Sequence, residues 1–245
     1  MVKKLFPFAV VLYFLLGCSN DGSGGGNNYS TIMHGGEAYE TVVIGSQRWF
    51  KRNLNYNVAG SKCYGEDEDN YDYYESGYFC ETYGRLYDWA TAMALPPSCN
   101  SSTCASRVQT KHQGICPPGW HIPSNEDWDR LLRYVDGSSG TSSPYSSCIA
   151  GYYLKANGMD FYGFSALLGG EIWYDKDWYD ENNSVFRSGG AGEFGHWWSS
   201  GEYDSEAAYK PYISNYGHYG CPNNDFVVNN TYMKETHISI RCVED

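Results

Sequence analysis

Nine cysteines limit what this chain can fold into more than any other feature does. Cys18 stands alone near the N-terminus. The other eight, Cys63, Cys80, Cys99, Cys104, Cys116, Cys148, Cys221 and Cys242, are spread over the rest. In an oxidising compartment an even set like this reads as a disulfide framework, with many connectivities open to it. Cys99 and Cys104 flank the stretch NSST, near enough to close a small local loop. Cys63 and Cys80 bracket an acidic, tyrosine-rich insert that reads as a disulfide-closed loop. No Cys-x-x-Cys pair and no Cys/His set at zinc spacing occurs, so no metal and no cofactor is expected. The acidic run from Glu66 to Asp69 lacks the fixed ligand spacing of a helix–loop–helix calcium site and reads as solvated charge.

The leader MVKKLFPFAVVLYFLLGCSNDG accounts for the isolated cysteine. Lys3 and Lys4 form a basic start. Residues 5–16 are apolar but too few to span a bilayer as a helix, and LLGC follows. A small residue before a cysteine at the end of such a run resembles a bacterial lipobox. The resemblance implies that Cys18 becomes the acylated first residue of an exported chain. Ser19 rather than Asp follows it, which under the sorting rule of such signals implies the outer membrane or cell surface. Residues 1–17 are then a signal peptide. The stretch SNDGSGGGNNYS cannot pack a core, so 18–38 reads as lipidated cysteine and flexible tether, and 39–245 as one folded domain.

The formal charge of −12 leaves no basic footprint to meet phosphates, so nucleic acid is not an expected partner. Aromatic residues make up 17%, including 24 tyrosines and 8 tryptophans, while charged residues make up only 19%. That balance suits a loop-rich β surface, where rings bury one side and keep a polar tip in water.

Residues 39–55 place β-branched and aromatic residues around a Gly-Ser turn, which predicts a hairpin. In GRLYDWATAMAL, Leu86, Trp89, Ala90 and Met93 share one helical stripe, which predicts a helix over 84–95 stopped by Pro96 and Pro97. Ser124 and Asp127 form a capping-box variant ahead of a second stripe, Trp128, Leu131, Leu132 and Val135, with Gly137 beyond it. A second helix is expected over 125–136. Downstream, short aromatic or β-branched runs separated by Gly, Asn and Asp read as strands and loops, the last run at residues 237–245. The fold class is α+β: two helices, then a short-stranded antiparallel β meander with long loops, stapled by disulfides.

Catalysis finds little support. None of the six histidines sits in an HExxH pattern, and YGFSALLGG lacks the second glycine of a nucleophile elbow. His121, in GWHIPS, reads as a structural histidine. Binding has better candidates. EIWYDKDWYDENN sets Trp173, Tyr174, Trp178 and Tyr179 among carboxylates and amides, a chemistry suited to sugars. In HWWSSGEYD, Trp197 and Trp198 point to opposite faces if extended. One is then core, and Trp198 and Tyr203 join the ligand-binding candidates. For the tryptophan pair, packing within an aliphatic-poor core is the favoured reading.

Taken in order, VIGSQRWFKRNLN, GRLYDWATAM, GICPPGWHIPSNEDW, YGFSALLGG, HWWSSGEY and SIRCVED resemble the Fibrobacter succinogenes major paralogous domain, a family of bacterial surface and secreted proteins. A more distant similarity is to the C-type-lectin-like fold. It implies a disulfide from a cysteine near the helices to one in the last strand, here Cys116–Cys242, which leaves Cys148 and Cys221 to pair with each other. The calcium-dependent sugar signatures of true C-type lectins are missing. The resemblance implies fold and surface location more than activity; together with the aromatic loops and the lack of a catalytic motif, the expectation is a non-enzymatic, lipid-anchored surface protein that binds polysaccharide or another surface protein through those loops. The alternatives are a structural module of the envelope and, third, an oxidase like the formylglycine-generating enzymes, for which only Cys242 stands in an Arg-Cys context.

Overall fold

Tyr39 and Thr41 alternate with Val42 and Ile44 so that one strand buries one face at its start and the other face at its end. The computed structural model describes residues 30–66, 76–137, 146–176, 184–216, 225–227 and 230–245. That strand, β2 (Glu37–Ile44), lies between β1 (Thr31–His34) and β3 (Gln47–Phe50). The β2–β3 hairpin turns at Gly45–Ser46 with Ile44 opposite Gln47. β1 pairs Thr31 with Glu40, so the sheet begins ahead of the boundary expected at Tyr39. Thr41 fastens this start, its amide donating to the Ser30 carbonyl at 2.9 Å.

The chain then forms α1 (Ser76–Tyr83), which lies partly within the insert expected as a loop, and α2 (Trp89–Ala92). The helix expected over 84–95 shrinks to that single turn. Gly84 adopts φ 80°, and the backbones of Leu86 and Tyr87 are taken by extended bridges to Lys62 and Ile238. Helix starts only at Asp88, whose carboxylate accepts from the Thr91 amide at 2.9 Å. Tertiary pairing overrides the stripe.

After β4 (Trp120–His121) comes α3 (Asn125–Asp136), with the boundaries the sequence predicts. Both arms of its capping box form, and Gly137 ends it at φ 64°. Trp128, Leu131, Leu132 and Val135 are buried. β5 (Ser146–Ser147) leads into α4 (Cys148–Leu154), a helix beyond the two expected. The remainder is β6 (Gly169–Lys176), β7 (Ser184–Ala191), β8 (Phe194–His196), β9 (Ala207–Tyr209), β10 (Tyr212–Ser214), β11 (Asp225–Val227), β12 (Thr231–Met233) and β13 (Val243–Glu244).

The first sheet runs β1-β2-β3-β13-β4, the second β5-β11-β10-β8, with two-stranded ribbons β6-β7 and β9-β12. Among the described residues every pairing between these strands is antiparallel, and the architecture is α+β. The first sheet separates two cores. Tyr39, Phe50 and Cys242 face one, with Trp89, Trp120 and Trp198. Val42, Trp49 and Val243 face the other, with α3, α4, Phe164 and Trp197. Disulfides Cys63–Cys80, Cys99–Cys104 and Cys116–Cys242 staple the chain. Among the described residues no helix is long and apolar enough to cross a membrane.

Candidate functional site

The expected ligand residues that fall among the described residues do not gather in one place. Trp198 is a correction: it is fully buried, and its indole N–H donates to the Tyr87 carbonyl at 2.8 Å. Trp197 is equally buried and donates to Asn53 Oδ1 at 2.9 Å. The two rings do point to opposite sides, but each side is a core. Trp173 and Tyr174 are half-buried on opposite faces of β6. Tyr203 is exposed and stands edge-on to Tyr209, their ring centroids 5.7 Å apart. Trp178, Tyr179 and Cys221 lie outside the described residues, as does the side chain of Cys148.

Tyr209 lines a cleft of about 570 Å³ at the start of α3, with Asn125, Arg130 and Ser200. Its enclosed carboxylates are engaged inward. Glu202 accepts from buried Lys234 at 2.5 Å and from the Ala105 amide at 2.7 Å. Asp127 serves Ser124 and lies 3.2 Å from His121 Nε2, while His121 Nδ1 lies 2.8 Å from Asp245. His121 thus has two carboxylate partners. These groups brace the fold.

Among the described residues, a connected surface of rings lies elsewhere, where α3, α4 and the turn after α4 meet. Tyr134 comes from the exposed side of α3, Tyr152 and Tyr153 from α4, and Phe161 and Tyr162 from the turn. Successive rings touch: Tyr134–Tyr162 at 5.8 Å, Tyr162–Tyr153 at 6.3 Å, Tyr153–Phe161 at 5.7 Å and Tyr152–Tyr153 at 5.9 Å between centroids. Tyr153 and Tyr162 root the group in the second core, while Phe161 is 67% exposed and Tyr134 and Tyr152 face solvent. Met159 and Ile149 extend the apolar area. Contiguous exposed apolar area of this kind marks a contact surface.

Local chemistry holds the turn in shape. Asp160 adopts φ 42°, and its carboxylate accepts from the Ser165 amide at 2.8 Å and the Ser165 hydroxyl at 2.7 Å. Gly163, at φ 69°, closes the turn onto the Asp160 carbonyl. Phe164 plunges into the core, and the Arg241 guanidinium beneath it donates to the carbonyls of Phe164 and Ser165. Tyr134 is fixed across Gly45, where a Cβ would come within 2.8 Å of the ring. The Asp160 carboxylate faces its own turn, so it does not interrupt the rings. Burial, then the neighbouring Tyr134 and Tyr153, push the Tyr162 hydroxyl pKa up, so it stays neutral and a donor.

Rings fixed in this way present flat faces and hydroxyl tips to a ligand without ordering cost at the moment of binding. Sequence reading passed over them. The available signal was the pair Tyr152–Tyr153 and the pair Phe161–Tyr162 on either side of a KANGMD turn. Among the described residues no three His, Cys, Asp or Glu side chains converge as a metal site requires.

No curated protein and no solved structure matches the chain. The family model of the Fibrobacter succinogenes major domain matches residues 42–244, from β2 to β13, and the chain belongs to that family.

Proposed function

We propose that the protein is a non-enzymatic, lipid-anchored surface protein of C-type-lectin-like fold that binds polysaccharide through the ring surface of Tyr134, Tyr152, Tyr153, Phe161 and Tyr162. The observation that carries this reading is the unbroken series of five ring contacts, partly exposed and rooted in the core, on a chain of net charge −12. Rings stack on the C–H faces of sugars and their hydroxyls meet sugar hydroxyls. The Cys116–Cys242 bond between the approach to the helices and the last strand supports the lectin-like reading of the fold. The lipobox-like leader supports the anchor.

Retention of the protein on insoluble polysaccharides of differing composition tests the reading. Phe161→Ala removes the most exposed ring and is expected to weaken retention about tenfold, which corresponds to ~1.4 kcal/mol. Tyr152→Ala should act in the same direction. Retention of none of the polysaccharides by the wild type, with a crosslinked envelope protein recovered through the same rings, would favour a protein partner and sink the polysaccharide reading.

A further inference from the structure

On the other side of the second sheet from its core lies a polar cluster that the ring surface does not use. Ile213 faces the core, so its neighbours on the β8–β10 ladder, His196 and Tyr212, face outward, beneath β6. Glu171 of β6 reaches down to them. Its Oε2 lies 3.5 Å from Lys210 Nζ and 3.6 Å from His196 Nε2, and its Oε1 lies 3.4 Å from the Tyr232 hydroxyl. Lys210 is only 3% exposed, with Nζ 3.8 Å from the centre of the Tyr232 ring. His196 is 7% exposed, and its Nδ1 has no hydrogen-bond partner among the described residues.

Two features set this cluster apart from the braces described above. Buried polar groups usually close to hydrogen bonds of about 2.7–3.2 Å, because burial without them is costly. Here one carboxylate is surrounded by three groups, all held slightly too far away, and an unpartnered ring nitrogen lies beside them. The second feature is Trp173, two residues along β6 and therefore on the same face as Glu171. Its ring lies across Gly189 of β7, where a Cβ would come within 2.9 Å of it. A larger residue at 189 would push the ring aside, and the ring remains half-exposed. Burial pushes the Lys210 amine and the His196 imidazole down in pKa, the latter helped by the Lys210 charge, so His196 is neutral with one nitrogen free to accept or donate.

We propose that Glu171, Lys210, His196 and Tyr232 form a subsite that reads the neighbouring hydroxyls of one pyranose unit, with Trp173 as its stacking ring. The proposal rests on the polysaccharide reading and names the chemistry of a second contact. One sugar hydroxyl donates to Glu171 Oε2 while accepting from Lys210. Its neighbour donates to Oε1 while accepting from Tyr232. The slack around the carboxylate is thereby filled, and no net charge is required of the ligand, since Glu171 and Lys210 offset each other.

The test uses the full chain in detergent with methyl glycosides of glucose, galactose, mannose and xylose, followed by saturation-transfer NMR and calorimetry. At least one glycoside is expected to bind. Glu171→Gln and Trp173→Ala should each weaken it tenfold or more, and Val43→Ala, on the exposed face of β2 away from both proposed sites, should leave it unchanged. A deoxy analogue lacking either of two adjacent hydroxyls should lose the same factor. If Glu171→Gln fails to fold, Trp173→Ala and the deoxy series still decide. Binding that survives Trp173→Ala, or absence of binding by every glycoside, overturns the subsite. In the latter case polysaccharide retention that still depends on Phe161 would leave the ring-surface reading standing. Conversely, loss of that reading with Glu171-dependent glycoside binding intact would leave the subsite standing.

Discussion

Asn53 shows how much of this fold depends on single side chains. Its Oδ1 accepts from the Trp197 indole and from two nitrogens of Arg241, and its Nδ2 donates to the carbonyl of Tyr83 and to Ser239 Oγ. Arg241 is wholly buried, with no carboxylate in hydrogen-bond contact among the described residues, and its other donors go to the carbonyls of Phe50, Phe164 and Ser165. Asn53→Ala strands the guanidinium and the indole together. Each lost buried partner costs about 1–3 kcal/mol, so a loss of at least ~3 kcal/mol is expected in urea unfolding, with the slope unchanged. Asp127 carries an acid dependence. Burial raises its pKa, but hydrogen bonds from His121 and Ser124 outweigh that and bring it to about 2. A carboxylate depressed in the folded state stabilises above its ordinary value near 4 and loses that contribution as pH falls through the folded value. The stability gap between wild type and Asp127→Asn should therefore be about 2 kcal/mol at neutral pH and close between roughly pH 4 and 2. A gap that persists at pH 2 would contradict this.

At the scale of elements, α3 was legible because everything that defines it is local: cap, stripe and terminal glycine fall within Ser124–Gly137. The 84–95 stripe misled because Leu86 and Tyr87 are claimed by residues far away in sequence. Trp198 drops out of the ligand candidates for a related reason. A strand with a core on each side buries both neighbours, and nothing in HWWSS tells two cores from one core and one solvent face. The ring surface escaped notice because α3, α4 and the 160–163 turn meet only in three dimensions. Staples act at this scale as well. Cys116–Cys242 spans 126 residues, and on the chain-entropy account a loop of that length contributes about 4–5 kcal/mol. The Cys116→Ser, Cys242→Ser double variant should lose most of it. Cys99→Ser with Cys104→Ser, across a separation of 5, should lose less. Calorimetric melting of the two variants under the same conditions checks the order.

For the whole molecule, the proposed ring surface and the proposed polar subsite would give two contacts on one domain, and a polymer engaging both would gain by effective concentration without any new interaction. The proposed anchor would multiply this by crowding copies on one membrane. Growth with a labelled fatty acid should mark the wild type and leave Cys18→Ser unmarked, with the latter released from the membrane fraction. Label retained by the variant would remove the anchor from the account. A last consequence follows from the position of β13. Val243 pairs with both Trp49 and His121, so β13 fills the gap between β3 and β4 in the first sheet. Cys242 and its neighbour Val243 face opposite cores, so neither core is complete without this one segment. Parting the sheet at that seam therefore exposes both cores together, and the two are expected to open as one cooperative unit.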